Sequence, residues 1–218
     1  MQPATPASPG TPTLDHLVIL AASLEDGVAW SEATLGVTPG PGGEHPLMGT
    51  HNRLLKITTT DFPTVYLEII AINPVAASPI PTRARRWFDM DDPALRARIA
   101  QLGPALVHTV VSVPDIRAAV AALGAHGLDR GEVLQASRPT AHGLLQWQIT
   151  VRPDGQRLFD GCLPTLIQWG PTHPTDHMPA SGVTLHSLRV QHPQADTLRA
   201  AYRGLGWTAQ AVDAGAPR

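Results

Sequence analysis

The chain has 218 residues, 43% of them apolar, and carries sixteen basic against eighteen acidic side chains for a formal net charge of -2. That is enough apolar material for a sizeable core in one domain or two small ones, and the near balance of charge excludes an electrostatic footprint for nucleic acid or an anionic membrane. The single cysteine, Cys162, excludes an internal disulfide and suits a small apolar residue in a reducing, cytoplasmic setting.

Residues 1–13 are rich in Pro, Ser, Thr and Ala, without the basic start and apolar core of a signal peptide, and read as a disordered lead-in. No apolar run approaches membrane-spanning length. A strand over residues 14–20 is followed by a helix over 24–35, with Ser23 and Asp26 placed as a capping box and Gly36 as its stop. Strands over 52–58 and 65–73, bounded by Gly, Pro, Asn and Asp, close a first unit at 14–73. Residues 74–104 form a Pro-rich connector with the basic run Arg83, Arg85 and Arg86 and a short helix opened by Asp92 and Pro93. This connector is long for a loop and fits either a lid or a linker wrapped over the surface.

The plan then repeats over residues 105–170. A strand containing Leu106, His108 and Val110 leads to a helix with Ile116, Val120 and Leu123 on one face, then strands over 131–137, 144–151 and 164–169. A third, partial unit covers 171–218, with a strand over 185–190 and a helix carrying Leu198, Tyr202 and Leu205 before Gly206. His16 to Gly36 and His186 to Gly206 are each twenty residues apart, which supports one design shared by these units. The expectation for this unit is a strand and a helix without a completing strand. The fold expected is α+β, with paired strand–helix–strand–strand–strand modules and two strand-rich halves enclosing a small-molecule pocket.

Four polar residues sit in strands that are apolar on both faces. Glu68 shares a face with Tyr66, Ile70 and Ile72, while Val65, Leu67, Ile69 and Ala71 fill the other. A carboxylate buried there needs a cation, a metal or a proton. His16 beside Leu14 and Val18, His108 beside Leu106 and Val110, and Gln168 beside Leu166 occupy similar positions, so that all four can face one interior.

Here the chain resembles the vicinal oxygen chelate superfamily of glyoxalase I, bleomycin-resistance proteins and extradiol dioxygenases, and within it a glyoxalase-like branch. The resemblance spans roughly residues 14–207. It rests on Gly42-Gly43-Glu44-His45, Gly49-Thr50-His51-Asn52 and Tyr66-Leu67-Glu68, on Arg138 with Trp147, and on the run from Pro164 to Trp169 followed by His173-Pro174. It implies paired βαβββ modules forming an open, cupped sheet, with His16, Glu68, His108 and Gln168 at the ligand-bearing places on first and last strands. Two departures stand out. Gln168 replaces a glutamate that acts as a base in glyoxalase I and cannot itself take a proton, and a third, partial unit begins but reaches Arg218 soon after its helix.

What the resemblance implies is a centre in which His16, Glu68 and His108 are catalytic and hold a divalent Fe, Mn, Ni, Co or Zn ion, with Gln168 as a fourth oxygen ligand or an orienting group. Such a centre polarises two adjacent substrate oxygens, giving a metal-dependent lyase or isomerase, or a ring-cleaving dioxygenase. The competing reading pairs Glu68 with a buried histidinium or with Arg138 and yields a metal-free protein that binds or sequesters a drug-like ligand. A third is an accessory domain with a filled cavity. His45, Asn52, Tyr66, Arg138 and Trp147 are the expected pocket residues, with His45 and Asn52 suited to substrate contact or, equally, to capping the backbone of a Gly-rich hairpin, and Arg138 and Trp147 to a carboxylate and a ring or, equally, to a surface arginine and a core tryptophan. Pro171, Pro174 and Pro179 forbid a regular helix that would place His173 and His177 on one face. Residues 40–43 lack a phosphate-loop setting, so no nucleotide cofactor is expected. The expected partners are a small molecule and, since such modules pair across dimers, a second copy of the chain, with neither nucleic acid nor membrane.

Overall fold

A computed structural model describes residues 10–76, 85–207 and 211–214. The first half runs β1 (Thr13–Leu20), α1 (Leu24–Leu35), β2 (Gly40–His45), β3 (Thr50–Lys56) and β4 (Tyr66–Ile72). The connector supplies α2 (Pro93–Leu102). The second half repeats the order as β5 (Ala105–Ser112), α3 (Ile116–Gly124), β6 (Glu132–Thr140), β7 (Gly143–Val151) and β8 (Thr165–Trp169). A third unit adds β9 (Arg189–His192), α4 (Ala195–Leu205) and β10 (Ala211–Ala214).

Among the described residues, eight strands form one sheet in the order β2-β3-β4-β1-β5-β8-β7-β6. β1 and β5 lie antiparallel at its centre, and each has the last strand of its own half parallel on its outer side. Both halves therefore fan outward as first, fourth, third and second strand, and together they curl into an open half-barrel. This places the first and last strands of each module back to back, where a shared interior is deepest.

The convex side is covered by helices. Leu17, Ile19, Leu67, Ile69, Val111 and Leu166 pack there against Ile116 and Leu123 of α3 and Leu198, Tyr202 and Leu205 of α4. Each such buried side chain contributes roughly 1.5–3 kcal/mol. The concave side holds Val18, Leu20, Ile70, Val110, Ile149 and Ile167 under Phe88, Met90, Leu95 and Ile99 of the connector and α2.

Helix starts follow the local chemistry. Ser23 accepts from the Asp26 N–H and donates its hydroxyl to the Asp26 carboxylate, Asp92 accepts from the Leu95 N–H, and Gly36 closes α1 at φ 70. Three elements differ from the sequence expectation. β2 forms from Gly40, Pro41 and two further glycines, a composition poor in strand formers, because β3 supplies its pairing partner. The strand expected over 185–190 shifts to β9, since Leu185 is tied by its N–H to the Ile57 carbonyl, and His186 is left exposed. After α4, β10 pairs in parallel with β9, so a strand does follow the third helix. The lead-in lies largely outside the described residues, as does Arg83 of the basic run. Among the described residues no helix is long and apolar enough to cross a membrane.

Candidate functional site

The site starts from an irregularity in β1. Against β5, Leu14 pairs with Val111 and His16 with Val110, so Asp15 is an extra residue with no partner of its own. A bulge of this kind turns two consecutive side chains toward one side and displaces the alternation by one. Leu14 and Leu17 thus pack on the convex side while His16 and Val18 face the cup. The same bulge lets the Asp15 carboxylate accept from His16 Nδ1 at 2.6 Å.

Asp15 is fully buried and also accepts from Trp169 Nε1 at 2.7 Å and His173 Nε2 at 3.1 Å. Burial by itself raises a carboxyl pKa. Here the hydrogen bonds and positive partial charge of His16 and His173 outweigh it and lower Asp15 to about 2. His173 is set for this role as a cap, its Nδ1 accepting from the Thr175 N–H so that Nε2 carries the hydrogen.

Glu68, paired in register beside Val18 on β1 and Leu54 on β3, is the centre of the cup. Its Oε1 accepts from Asn52 Nδ2 at 2.6 Å, and its Oε2 stands 3.6 Å from His16 Nε2. His45 Nε2 lies 3.9 Å from Oε1 on the other flank. The Asn52 amide is oriented by the Gly43 N–H, which donates to its Oδ1 at 2.7 Å. A Cβ on Gly42 would fall 2.1 Å from the Asn52 carbonyl oxygen, so this glycine is what lets β2 lie close enough to hold Asn52. His45 donates through Nδ1 to Thr50 and accepts at Nε2 from Asn52. Burial pushes its pKa down to about 4 against the pull of Glu68, with Arg138 adding to the lowering.

Tyr66 stacks on His16 with ring centroids 4.6 Å apart. Its phenol is held well above the usual range by burial and then by the charges of Asp15 and Glu68. Trp87, Phe88, Trp147 and Trp169 complete an aromatic wall around a cavity of about 40 Å³. Trp87 and Phe88 come from the connector, through consecutive left-handed residues at Phe88 (φ 60) and Asp89 (φ 56), a costly conformation for non-glycine residues. Asp89 is anchored there by Arg157 Nε at 2.9 Å. The described part of the connector thus supplies two walls of the cavity.

The structure brings together His16, Glu68, His45, Asn52, Tyr66, Arg138 and Trp147, all lining this cavity. It does not bring His108 or Gln168 there. His108 is fully engaged, with Nδ1 on the Gly161 carbonyl at 3.0 Å and Nε2 on Thr165 at 2.9 Å from the hydroxyl and 3.1 Å from the N–H. Its pKa is driven well below the usual histidine value by burial and then by Arg130 and Arg157. Gln168 shares the convex face with Leu166 and accepts from the Ile116 N–H at 2.9 Å, capping α3, whereas Ile167 and Trp169 turn into the cup. The expected convergence of four ligands is thereby corrected to a carboxylate flanked by His16 and His45. As a test of fit for a divalent ion, two of the four implied ligand positions are committed elsewhere. Among the described residues no three His, Cys, Asp or Glu side chains form a group suited to hold a metal. Nor does Glu68 pair with Arg138, the other counter-charge considered.

Sequence reasoning missed Asp15, because alternation puts it on the opposite face from His16. It also missed Trp169 and His173 as partners of Asp15, and Trp87 and Phe88 as cavity walls. The juxtaposition of the run ending in Trp169 with His173-Pro174 was the available signal.

A family model described as a glyoxalase-like domain matches residues 14–206. No match is found among curated proteins. Among solved structures, a hypothetical protein from Staphylococcus aureus is similar at a TM-score of 0.56 and 17% identity, covering 89% of this chain and 75% of that one. Methylmalonyl-CoA epimerase in complex with methylmalonyl-CoA and NH4+ is similar at 0.45 and 18%, covering 75% of this chain and 99% of its own. The Mycobacterium tuberculosis methylmalonyl-CoA epimerase is similar at 0.39 and 15%, covering 76% and 92%.

Proposed function

Given that this chain belongs to the glyoxalase-like domain family, within the vicinal oxygen chelate superfamily, we propose that it is an isomerase-type enzyme moving a proton next to a carbonyl in a small substrate with adjacent oxygens. The observation that carries this reading is the facing of His16 Nε2 and Glu68 Oε2 across 3.6 Å in a buried cavity, with the Asp15 carboxylate behind the imidazole. Glu68 takes the carbon-bound proton. His16, protonated on both nitrogens with its Nδ1–H held by the ionised Asp15, donates its Nε2–H to the oxygen on which negative charge develops. Asn52 keeps the Glu68 carboxylate aimed, and the aromatic wall excludes water. Returning the proton to the neighbouring carbon, while the hydroxyl proton passes to the former carbonyl oxygen, gives the isomer, and loss of a leaving group from the same enolate gives the lyase outcome.

A metal-dependent lyase, isomerase or dioxygenase draws its support from the superfamily, whose members commonly use divalent ions. His16 and Glu68 are the residues that would contribute to such a centre, and the ion would supply charge to polarise the carbonyl. A metal-free sequestering protein uses the same pocket without turnover.

The test is proton exchange in D2O with 2-oxobutanoate and hydroxyacetone, followed by NMR at the carbon next to the carbonyl. The native protein should catalyse exchange, and Glu68→Gln or His16→Gln, with folding checked by melting, should lose about 10²–10⁴-fold. Exchange abolished by a chelator, with a divalent ion found by elemental analysis and lost in Glu68→Ala, moves the reading to the metal-dependent enzyme. Binding without exchange moves it to the sequestering protein.

A further inference from the structure

The cavity beside Glu68 holds about 40 Å³, far below the roughly 300–1,000 Å³ of pockets that take whole metabolites. It does not end there. Arg138, Leu54, Leu145 and Pro174 line both this chamber and a second cavity of about 790 Å³ outside it. That outer groove runs between β2, the tip of the β6–β7 hairpin and residues 172–181. Pro41, Leu55, Leu144 and Met178 are among its walls. Its two far sides are braced together by His142 of the hairpin and His177 of the 172–181 segment, whose rings stack at 4.0 Å.

Arg138 stands at the junction. Its Nε and Nη1 are buried and have no hydrogen-bond partner, as has Trp87 Nε1 in the wall of the same chamber. Among the described residues Arg86, Arg152, Arg157 and Arg199 each pair with an aspartate, whereas Arg138 makes no ion pair. Its guanidinium lies directly over Gly43, where a Cβ would fall 1.7 Å from Nη1, so the glycine is what gives the cation its place. Buried donors without acceptors cost free energy unless a ligand satisfies them, and a planar guanidinium is matched to a carboxylate.

We propose that the substrate is an organic acid with an extended apolar tail, its carboxylate held by Arg138 with Trp87, its reacting end at His16 and Glu68, and its tail in the outer groove. This rests on the proton-transfer reading for the reacting end only. The carboxylate seat and the tail groove are binding claims, and a binding measurement tests them separately.

The probes are straight-chain 2-oxo acids of about four to ten carbons and the alkan-2-ones of matching length, titrated against the quenching of tryptophan fluorescence. For the acids, affinity should rise about fourfold per added methylene while the groove fills. Arg138→Gln should weaken the acids at least about tenfold more than the ketones. Gly43→Ala, which pushes the guanidinium aside and keeps the charge, should act in the same direction. Ala141→Trp, in the hairpin turn beside the groove, should abolish the gain with chain length. Affinity independent of length, or acids bound by Arg138→Gln as tightly as by the native protein, overturns the proposal even if short probes exchange their protons. Length-dependent, Arg138-dependent binding without exchange upholds it and removes the isomerase instead.

Discussion

Trp169 donates its indole N–H to Asp15 at 2.7 Å, joining the last strand of the second half to the bulge in the first strand of the chain. With His16 and His173 on the same carboxylate, a single buried charge ties together both halves and the segment beyond them. The cavity-lining face of the cup therefore depends on a residue that does not itself line it.

Asp15 should make folding sensitive to strong acid. Its folded pKa of about 2 lies below the ordinary 3.8, so the ionised form favours the folded state. The contribution, about 2 kcal/mol, is complete above the unfolded value and fades as pH falls through about 2. Asp15→Asn should be less stable than the native protein by at least that amount at neutral pH, with the gap closing toward pH 2. Urea unfolding across a pH series measures it.

His45 acts in the same sense, deprotonated when folded, but in a different window and for a different reason, burial of the imidazole. Its pKa falls from 6.5 to about 4 on folding, so the unfolded chain binds a proton that the folded chain refuses. Stability is unaffected above about 6.5 and declines as pH drops toward 4, by about 3 kcal/mol from this group. His45→Gln should flatten that part of the native protein's pH profile, leaving the share that buried His108 contributes by the same mechanism.

Replacing His108 or Gln168 should injure the fold and spare the chemistry. His108→Ala removes contacts to Gly161 and Thr165 from a fully buried site and should cost roughly 2–4 kcal/mol. Gln168→Ala strands the Ile116 N–H at the start of α3 and should cost roughly 1–3 kcal/mol. Proton exchange next to a carbonyl should stay near the native rate in both once melting shows them folded. A collapse of exchange in folded His108→Ala would restore that histidine to the reaction.

The two adjacent glycines of β2 should respond differently. A methyl at Gly42 meets the backbone of Asn52, which cannot yield without lifting β2 off β3. Gly42→Ala should therefore cost about 1–3 kcal/mol and release Glu68 from Asn52. A methyl at Gly43 meets only the end of the flexible Arg138 side chain, so its effect on the melting temperature should be small.

Much of the site was legible in the chain because β4 has simple alternation. Reading Tyr66, Glu68 and Ile70 on one face places a carboxylate among apolar groups, and the cup-lining positions of His16, Asn52 and Trp147 follow from neighbouring strands. β8 was harder. Alternation correctly groups Gln168 with Leu166, but nothing local says that this face lies beneath α3 rather than inside the cup. His108 shows a second limit, since an imidazole in a strand looks the same whether its nitrogens are free or spent on a carbonyl fifty-three residues away.

By itself the sequence determined the repeated order of elements, their caps and the burial of Glu68, because those follow from hydrophobic period, capping residues and the cost of an unpaired charge. Only the tertiary structure decided which groups meet that charge. The bulge at Asp15, the turn of β8 and the left-handed corner at Phe88 each arise from pairing or packing with distant segments, and each changes the direction of a side chain without changing the local pattern.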